Sequence, residues 1–154
     1  MFVQICVIFH YLLESGEFDV IFIFETWLKP AIPNGLIDPS KSFSIIRRDR
    51  LDSTGGGVCI LLRKSMKFSE ITVTEDVEVL AVDVHTSQVQ HRFIVVYRPP
   101  SRGPTGKTYM VKLISTLSFL SLVTWPVLIV GDFNCPGITW TILVLPKTIF
   151  MTYF

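Results

Sequence analysis

The sequence has few of the groups that mark a metal framework, a redox site or a strongly charged surface. Its three cysteines, Cys6, Cys59 and Cys135, are far apart and form no Cys-x-x-Cys pair. This pattern favours reduced core thiols over a zinc, disulfide or redox role. With 14 basic and 13 acidic residues, the net charge of +1 demands neither a nucleic-acid nor a membrane partner, although a local basic face remains compatible with it.

Signals for secretion or membrane insertion are also weak. The apolar segment Met1–Phe9 has no positive residue before it and no small-residue cleavage site, so we expect an intracellular chain, nuclear or cytoplasmic. The run Leu113–Gly131 carries no charge and is long enough to span a bilayer. Its hydroxyl residues and Pro126 divide it into an amphipathic helix and a short strand, and we therefore predict no membrane partner.

Short apolar runs bounded by turn residues dominate the rest of the chain. With 154 residues, 49% of them apolar, one domain with one buried core is expected. Runs rich in Val, Ile and Phe predict strands buried on both faces. They are Val20–Phe24, Gly57–Leu62, Val79–Val84, Phe93–Tyr97 and Val127–Val130, with Phe43–Ile46 as a weaker candidate.

Helical signals are fewer than strand signals. A short helix is predicted to end at Ser15-Gly16, and a surface helix is predicted from Thr108, as its cap, to about Leu122. His85 and His91 are predicted to flank a hairpin turn. These elements together predict an α+β (layered α/β) fold in which sheets pack together and helices cover them.

Carboxylate and amide side chains follow two of the apolar runs. Glu25 comes directly after Val20–Phe24, and Asp132 and Asn134 follow Val127–Val130 and Gly131. Strand ends are where open sheets assemble sites, and oxygen ligands of this kind suit Mg²⁺ beside a phosphate. Glu25 would hold the metal, Asp132 the attacking water and Asn134 the phosphate or the water. From spacing alone, acids that merely cap strand ends in solvent are an equally good interpretation.

Four motifs, in order, identify a resemblance that extends from about Tyr11 to Trp140. They are Glu25-Thr-Trp-Leu28, Gly55-Gly-Gly-Val58, Tyr97-Arg-Pro-Pro100 and Gly131-Asp-Phe-Asn134. The set resembles the apurinic-endonuclease-like domain of non-LTR (LINE-type) retrotransposons, within the endonuclease/exonuclease/phosphatase superfamily. The resemblance implies a two-sheet β-sandwich flanked by helices, DNA as the partner and Mg²⁺, with Mn²⁺ as the alternative, as the cofactor.

The resemblance also implies roles for individual residues. Glu25 matches the metal ligand, Asp132 the residue that handles the nucleophilic water, and Asn134 a phosphate contact. Tyr97 matches a tyrosine that lies near the scissile phosphate. In such elements the domain nicks target DNA, and the new end primes reverse transcription.

The sequence also departs from that family. Relatives carry an Asn motif before the Glu and a Ser-Asp-His motif after the Asn, whereas here no histidine follows Gly131. We therefore expect a partial domain, residues 1–140, followed by an unrelated apolar tail, Thr141–Phe154. The expected activity is weak or absent and DNA binding is weak or lost. The alternative is a non-catalytic remnant that acts as a nucleic-acid or protein interaction module, or has no function.

Three further features have competing interpretations. Gly103-Pro-Thr-Gly-Lys-Thr108 resembles a phosphate-binding loop, but Ser101 stands where that motif needs Gly, and Pro104 lacks an amide N–H, so no nucleotide cofactor is expected. The side chain of Trp27 is expected to pack in the core rather than to stack on a base. A set of basic residues either lines a DNA-facing edge or forms a solvated surface; its members are Arg47, Arg48, Arg50, Arg63 and Lys64.

Overall fold

The computed structural model describes residues 13–51, 55–100, 103–135 and 148–151, with the backbone alone described for 103, 104 and 148–151. The strands are β1 (Val20–Phe24), β2 (Phe43–Arg48), β3 (Val58–Arg63), β4 (Lys67–Ile71), β5 (Glu78–His85), β6 (Gln90–Tyr97), β7 (Val127–Asp132) and β8 (Thr148–Met151). The helices are α1 (Asn34–Ile37) and α2 (Gly103–Leu120). Leu13 and Glu14 are also helical, and this helix ends before Gly16 at φ +72°, as the sequence predicts.

The strands form two four-stranded sheets. The first has the order β2-β3-β1-β8 and the second the order β4-β5-β6-β7. Within the sheets, β1 runs parallel to β8 and β6 parallel to β7, and the other neighbours are antiparallel. The carboxyl ends of β6 and β7 therefore meet at the same edge.

The main core lies between the two sheets. It takes alternate residues of β1, including Phe22, together with apolar side chains of β3, β5 and β6. Phe22 of one sheet meets Phe93 of the other edge to face, with ring centroids 5.6 Å apart, which is a favourable aromatic geometry. The sheets are thus joined by interdigitated apolar side chains.

The outer faces of both sheets are buried as well. Ile21 and Ile23 point away from the sandwich and pack with Leu13, while α2 covers the second sheet through Leu113 and Leu120. Burial on both faces explains why these strands are continuous apolar runs. The predicted layered fold, with two sheets and a few helices, is confirmed.

The sequence does not predict two of the strands, β4 and β8, and it predicts several others too short. Of these, β4 pairs with β5 at the edge of its sheet and is mostly exposed. It mixes Lys, Ser and Glu with apolar residues, as edge strands do to prevent association, so it leaves no apolar run to find. The predicted hairpin turn is confirmed, because β5 ends at His85 and β6 begins at Gln90.

The start of the long helix was predicted wrongly. The helix α2 begins at Gly103, so Thr108 lies inside it and does not cap it. Proline is accepted in a first turn because the first N–H groups of a helix have no intrahelical partner, and Gly103-Pro104 therefore begins the helix. The segment Gly103–Thr108 is helical and is not the loop that a phosphate-binding motif requires.

Part of the segment 141–154 adds a strand. The backbone of Thr148–Met151 pairs in parallel with β1, Val20 opposite Thr148. The division of the chain at residue 140 stays a prediction.

The described part of the chain contains no helix that is long and apolar enough to cross a membrane. Of the three cysteines, Cys6 lies outside the described residues. Cys59 and Cys135 are both free, and burial raises the pKa of the Cys59 thiol, so Cys59 is a protonated, unreactive core side chain. Cys135 is half-buried, and its thiol donates to the Phe133 carbonyl at 3.1 Å.

Candidate active site

Glu25 lies at the point where β1 leaves its sheet. Its φ of +56° is in the left-handed region, which residues other than glycine seldom adopt. The turn is held by the glycine loop before β3, because the Thr26 and Trp27 N–H groups donate to Gly57 and Gly56 at 3.2 and 2.9 Å. This unusual backbone directs the chain out of the sheet and leaves the Glu25 side chain half-buried.

Tyr97 connects Glu25 to the second sheet. Its hydroxyl donates a hydrogen bond to the Glu25 carboxylate, and the two groups come from different sheets. On the neighbouring parallel strand, Asp132 lies directly beside Tyr97 in the register. The predicted residues Glu25, Tyr97 and Asp132 therefore lie at one edge of the sandwich.

Asp132 and Asn134 form a compact unit after β7. The Asn134 backbone N–H donates to Asp132 Oδ1 at 2.9 Å, and its side-chain nitrogen donates to Asp132 Oδ2 at 3.1 Å. That nitrogen also donates to the Arg98 carbonyl at 2.7 Å. Both amide hydrogens are thereby used, which leaves the amide oxygen, an acceptor, for a ligand. In this arrangement Asn134 orients Asp132, and a phosphate contact through its NH₂ group is disfavoured.

The ionisation state of Tyr97 is set by its surroundings. Burial raises the pKa of its hydroxyl, and the hydrogen bond to Glu25 and the negative charges of Glu25 and Asp132 raise it further. The phenol is therefore neutral at physiological pH, since the ordinary pKa of tyrosine is already about 10. Tyr97 can donate a hydrogen bond and cannot serve as an anionic base.

The sequence does not predict that Glu78 and Arg50 form an ion pair at this edge. Glu78 lies opposite Tyr97 on the antiparallel strand β5, and its carboxylate accepts hydrogen bonds from Arg50 and from the Gly57 N–H. The Arg50 guanidinium carbon lies 5.7 Å from the centroid of the Tyr97 ring. Glu78 precedes the apolar run of β5, and its relation to Tyr97 depends on strand register that sequence spacing does not give.

The arginines of the basic set make contacts within the chain. Arg47 donates to the Lys29 carbonyl and to Asp49 at 2.8 and 2.9 Å. Arg48 donates to two loop carbonyls, Arg50 binds Glu78, and Arg63 donates to the Phe18 carbonyl. These side chains tie loops together, which favours a structural role for them over a DNA-facing edge.

Trp27 is not packed in the core, contrary to the expectation from its position beside a buried strand. It is 44% exposed. Its φ of +54° turns the chain away from the direction of β1. The Trp27 side chain therefore does not share the buried environment of the β1 residues that precede it. The residue instead lies at the surface next to the glycine loop.

The donors at this edge fit only one kind of metal site. Among the residues that the structure describes, no group of three His, Cys, Asp or Glu side chains is placed to hold a metal ion. Mg²⁺, however, keeps part of its water shell and is commonly bound by one or two carboxylates together with a substrate phosphate. Glu25 and Asp132 match that second arrangement and do not form a protein-only cage.

Comparisons with protein families and solved structures show what the chain is similar to. The model of the Endonuclease/Exonuclease/phosphatase family matches residues 8–152. The catalytic domain of human Nocturnin with bound sulfate anion is 12% identical, with a TM-score of 0.64 over 89% of this chain and 58% of that one. No curated protein sequence matches.

Two further structures are similar and contain DNA. D. rerio TDP2, complexed with a single-strand DNA product, is 20% identical with a TM-score of 0.59 over 86% of this chain and 54% of that one. A variant of the 3′ phosphatase NExo from Neisseria, bound to a product DNA hairpin, is 17% identical with a TM-score of 0.56 over 80% and 50%. The chain thus spans about half the length of the solved structures that it matches.

Proposed function

Because this chain belongs to the Endonuclease/Exonuclease/phosphatase family, we propose that it forms a Mg²⁺-dependent phosphodiesterase domain that acts on DNA with weak activity at most. The observation that carries the proposal is the convergence of Glu25, Tyr97 and Asp132 from three strands and two sheets. Acids that merely cap strand ends in solvent need no such convergence, so this geometry argues against that interpretation.

Each residue has a role that its contacts support. Glu25 would contribute a carboxylate to the cation, which when bound offsets negative charge on the phosphate. Asp132, held by two hydrogen bonds from Asn134, would accept a proton from the attacking water. Neutral Tyr97 would orient the Glu25 carboxylate, which accepts its one hydroxyl hydrogen.

The proposal also names DNA as the substrate and a non-LTR retrotransposon as the origin of the domain. The DNA products bound in two similar structures support the substrate class. The four motifs in their order support the origin. Weak activity is proposed because no histidine follows Gly131, and a positioned acid–base group typically contributes about two to four orders of magnitude in rate.

The alternative proposal is a domain that binds nucleic acid or protein without catalysis. It is favoured by one observation, the absence of a three-ligand metal group among the described residues. The two proposals differ in whether removal of a carboxylate changes a reaction rate.

Replacing Glu25 or Asp132 by alanine is expected to lower Mg²⁺-dependent nicking of supercoiled plasmid by at least about a hundredfold, because each change removes a group that acts on the phosphate or the water. Gel analysis of nicked product over time measures the effect. Glu70→Ala is the matched control, because Glu70 is an exposed acid on the edge strand β4. Cleavage absent from the wild type, or equal in all variants, contradicts the enzyme proposal and supports the binding module.

Replacing Tyr97 by phenylalanine is expected to lower nicking by about a hundredfold, since it removes the O–H that orients the Glu25 carboxylate. Tyr109→Phe is the control: the Tyr109 hydroxyl hydrogen-bonds to backbone groups, accepting from the Glu78 N–H at 2.9 Å and donating to the Tyr97 carbonyl at 3.2 Å. Steady-state rates at saturating Mg²⁺ compare the two variants. Equal losses of activity in both would assign Tyr97 a role in folding alone.

A further inference from the structure

Trp27 is a large aromatic residue that lies at the surface, outside the apolar core. It is 44% exposed, whereas Trp125 packs against Arg92, with the guanidinium carbon 5.5 Å from the ring centroid. The φ of Trp27, +54°, is strained for an aromatic residue, and such backbone strain is found where surrounding structure imposes it, often at functional positions. Burial of apolar surface therefore does not explain the conformation.

The glycine loop holds the indole in this position. The Trp27 N–H donates to the Gly56 carbonyl at 2.9 Å. A Cβ atom on Gly55 would lie 3.5 Å from Trp27 Cζ2, so one part of the ring lies against the Gly55 backbone. Gly55 itself has a φ of +81°, which glycine adopts without strain. The ring is thus supported by the loop while nearly half of the residue remains exposed.

The same loop connects Trp27 to the candidate active site. Gly57 donates its N–H to Glu78, which lies beside Tyr97 in the register of the sheet. Glu25, whose carboxylate accepts the Tyr97 hydroxyl, is separated from Trp27 by one residue. The loop that supports the indole therefore also borders the carboxylate site.

We propose that Trp27 is a stacking platform for an unpaired nucleobase that adjoins the phosphate held at this site. The inference rests on the proposed function, because a nucleic-acid strand must reach the carboxylate site. A base in a duplex already stacks on its neighbours, whereas an unpaired base offers its face to an aromatic ring. The platform thus confers a preference for single-stranded or unpaired DNA, a substrate distinction that the carboxylates alone do not make.

The test measures binding of the full chain to a labelled single-stranded oligonucleotide and to the matching duplex by fluorescence anisotropy, in EDTA so that no cleavage occurs. Trp27→Ala is expected to weaken single-strand binding about ten- to a hundredfold, and Trp27→Phe by no more than about threefold, because base stacking contributes about 1 to 3 kcal/mol. Duplex binding is expected to change less than single-strand binding.

Leu51→Ala is the control, because Leu51 is a 70% exposed apolar residue that follows Arg50, whose carbonyl accepts from Lys29 Nζ at 2.8 Å. The affinity of the Leu51→Ala variant for the single strand is expected to equal that of the wild type. An equal loss in Leu51→Ala, or in Trp27→Phe, overturns the inference. Unchanged binding in Trp27→Ala, in a chain whose nicking depends on Glu25 and Asp132, overturns the inference alone. If Trp27→Ala loses single-strand affinity as expected but the wild type does not nick DNA, the phosphodiesterase proposal is refuted and the stacking inference is supported.

Discussion

Gly131→Ala is expected to lower the free energy of unfolding by about 3 kcal/mol or more and to abolish any nicking activity. An added Cβ would lie 1.9 Å from the Val96 carbonyl oxygen and 2.7 Å from the Val96 carbonyl carbon. These are backbone atoms of the paired strand, so no side-chain rotation relieves the clash. The strand β7 must move away from β6, and Asp132, the next residue, loses its position beside Tyr97.

Gly35→Ala is the matched control for this substitution. A Cβ at Gly35 meets no atom within 4 Å, and the residue lies in helix α1, where alanine is favoured over glycine by about 1 kcal/mol. Denaturant unfolding of both variants compares the same chemical change in a crowded and in an open position. Equal stabilities for the two variants would show that β6 and β7 are not packed as closely as the structure has them.

Asp83→Asn is expected to lower the free energy of unfolding by about 3 to 5 kcal/mol, because it breaks a buried ion pair from one side. Arg92 donates to both oxygens of Asp83 at 2.7 Å, and its third nitrogen donates to the Leu120 carbonyl at 2.9 Å. Both residues are more than nine-tenths buried. The variant leaves a buried guanidinium without a counter-charge and weakens the attachment of the end of α2 to the sheet.

Asp19→Asn is the control, since Asp19 pairs with Arg63 at 3.4 Å and its side chain is 51% exposed. An exposed pair contributes about 1 kcal/mol at most. Chemical denaturation at neutral pH compares the two variants. A loss in Asp83→Asn no greater than that in Asp19→Asn would contradict the buried pair.

The pair also predicts the pH dependence of stability. The hydrogen bond and charge of Arg92 hold the pKa of Asp83 below its ordinary value of 3.8. The stabilisation is therefore complete above pH 3.8 and is lost as the pH falls through the folded-state pKa, because the unfolded carboxyl binds its proton first. In acid, the stability of the wild type is expected to fall more steeply than that of Asp83→Asn.

The central strands were predictable from sequence because burial on both faces demands an apolar residue at each position. All five residues of β1 are buried, and its bounds were predicted correctly. The edge strand β4 is mostly exposed and mixes polar with apolar residues, so the sequence does not predict it. The helix α2 was predicted to begin late because Thr108 is a good capping residue, whereas Gly103-Pro104 begins it.

The residues at the candidate site also differ in whether the sequence predicts them. Glu25, Tyr97 and Asp132 are predicted because motifs and strand ends carry them, and the fold brings them together. Glu78 was not found, because only the antiparallel register places it beside Tyr97. The exposure of Trp27 depends on a left-handed backbone conformation, and nothing in the local sequence of an aromatic residue indicates one.

The parallel pair of β1 and β8 joins the first and the last of the described strands. On the ribosome, amino-terminal segments emerge first, so β1 and β3 can pair while the other side of β1 still exposes its N–H and C=O groups. Closing that gap requires a contact between β1 and β8, which are far apart in sequence, and this makes it a slow step. Of the described strands, the one that precedes Glu25 thus stays open to addition by foreign strands for the longest part of synthesis.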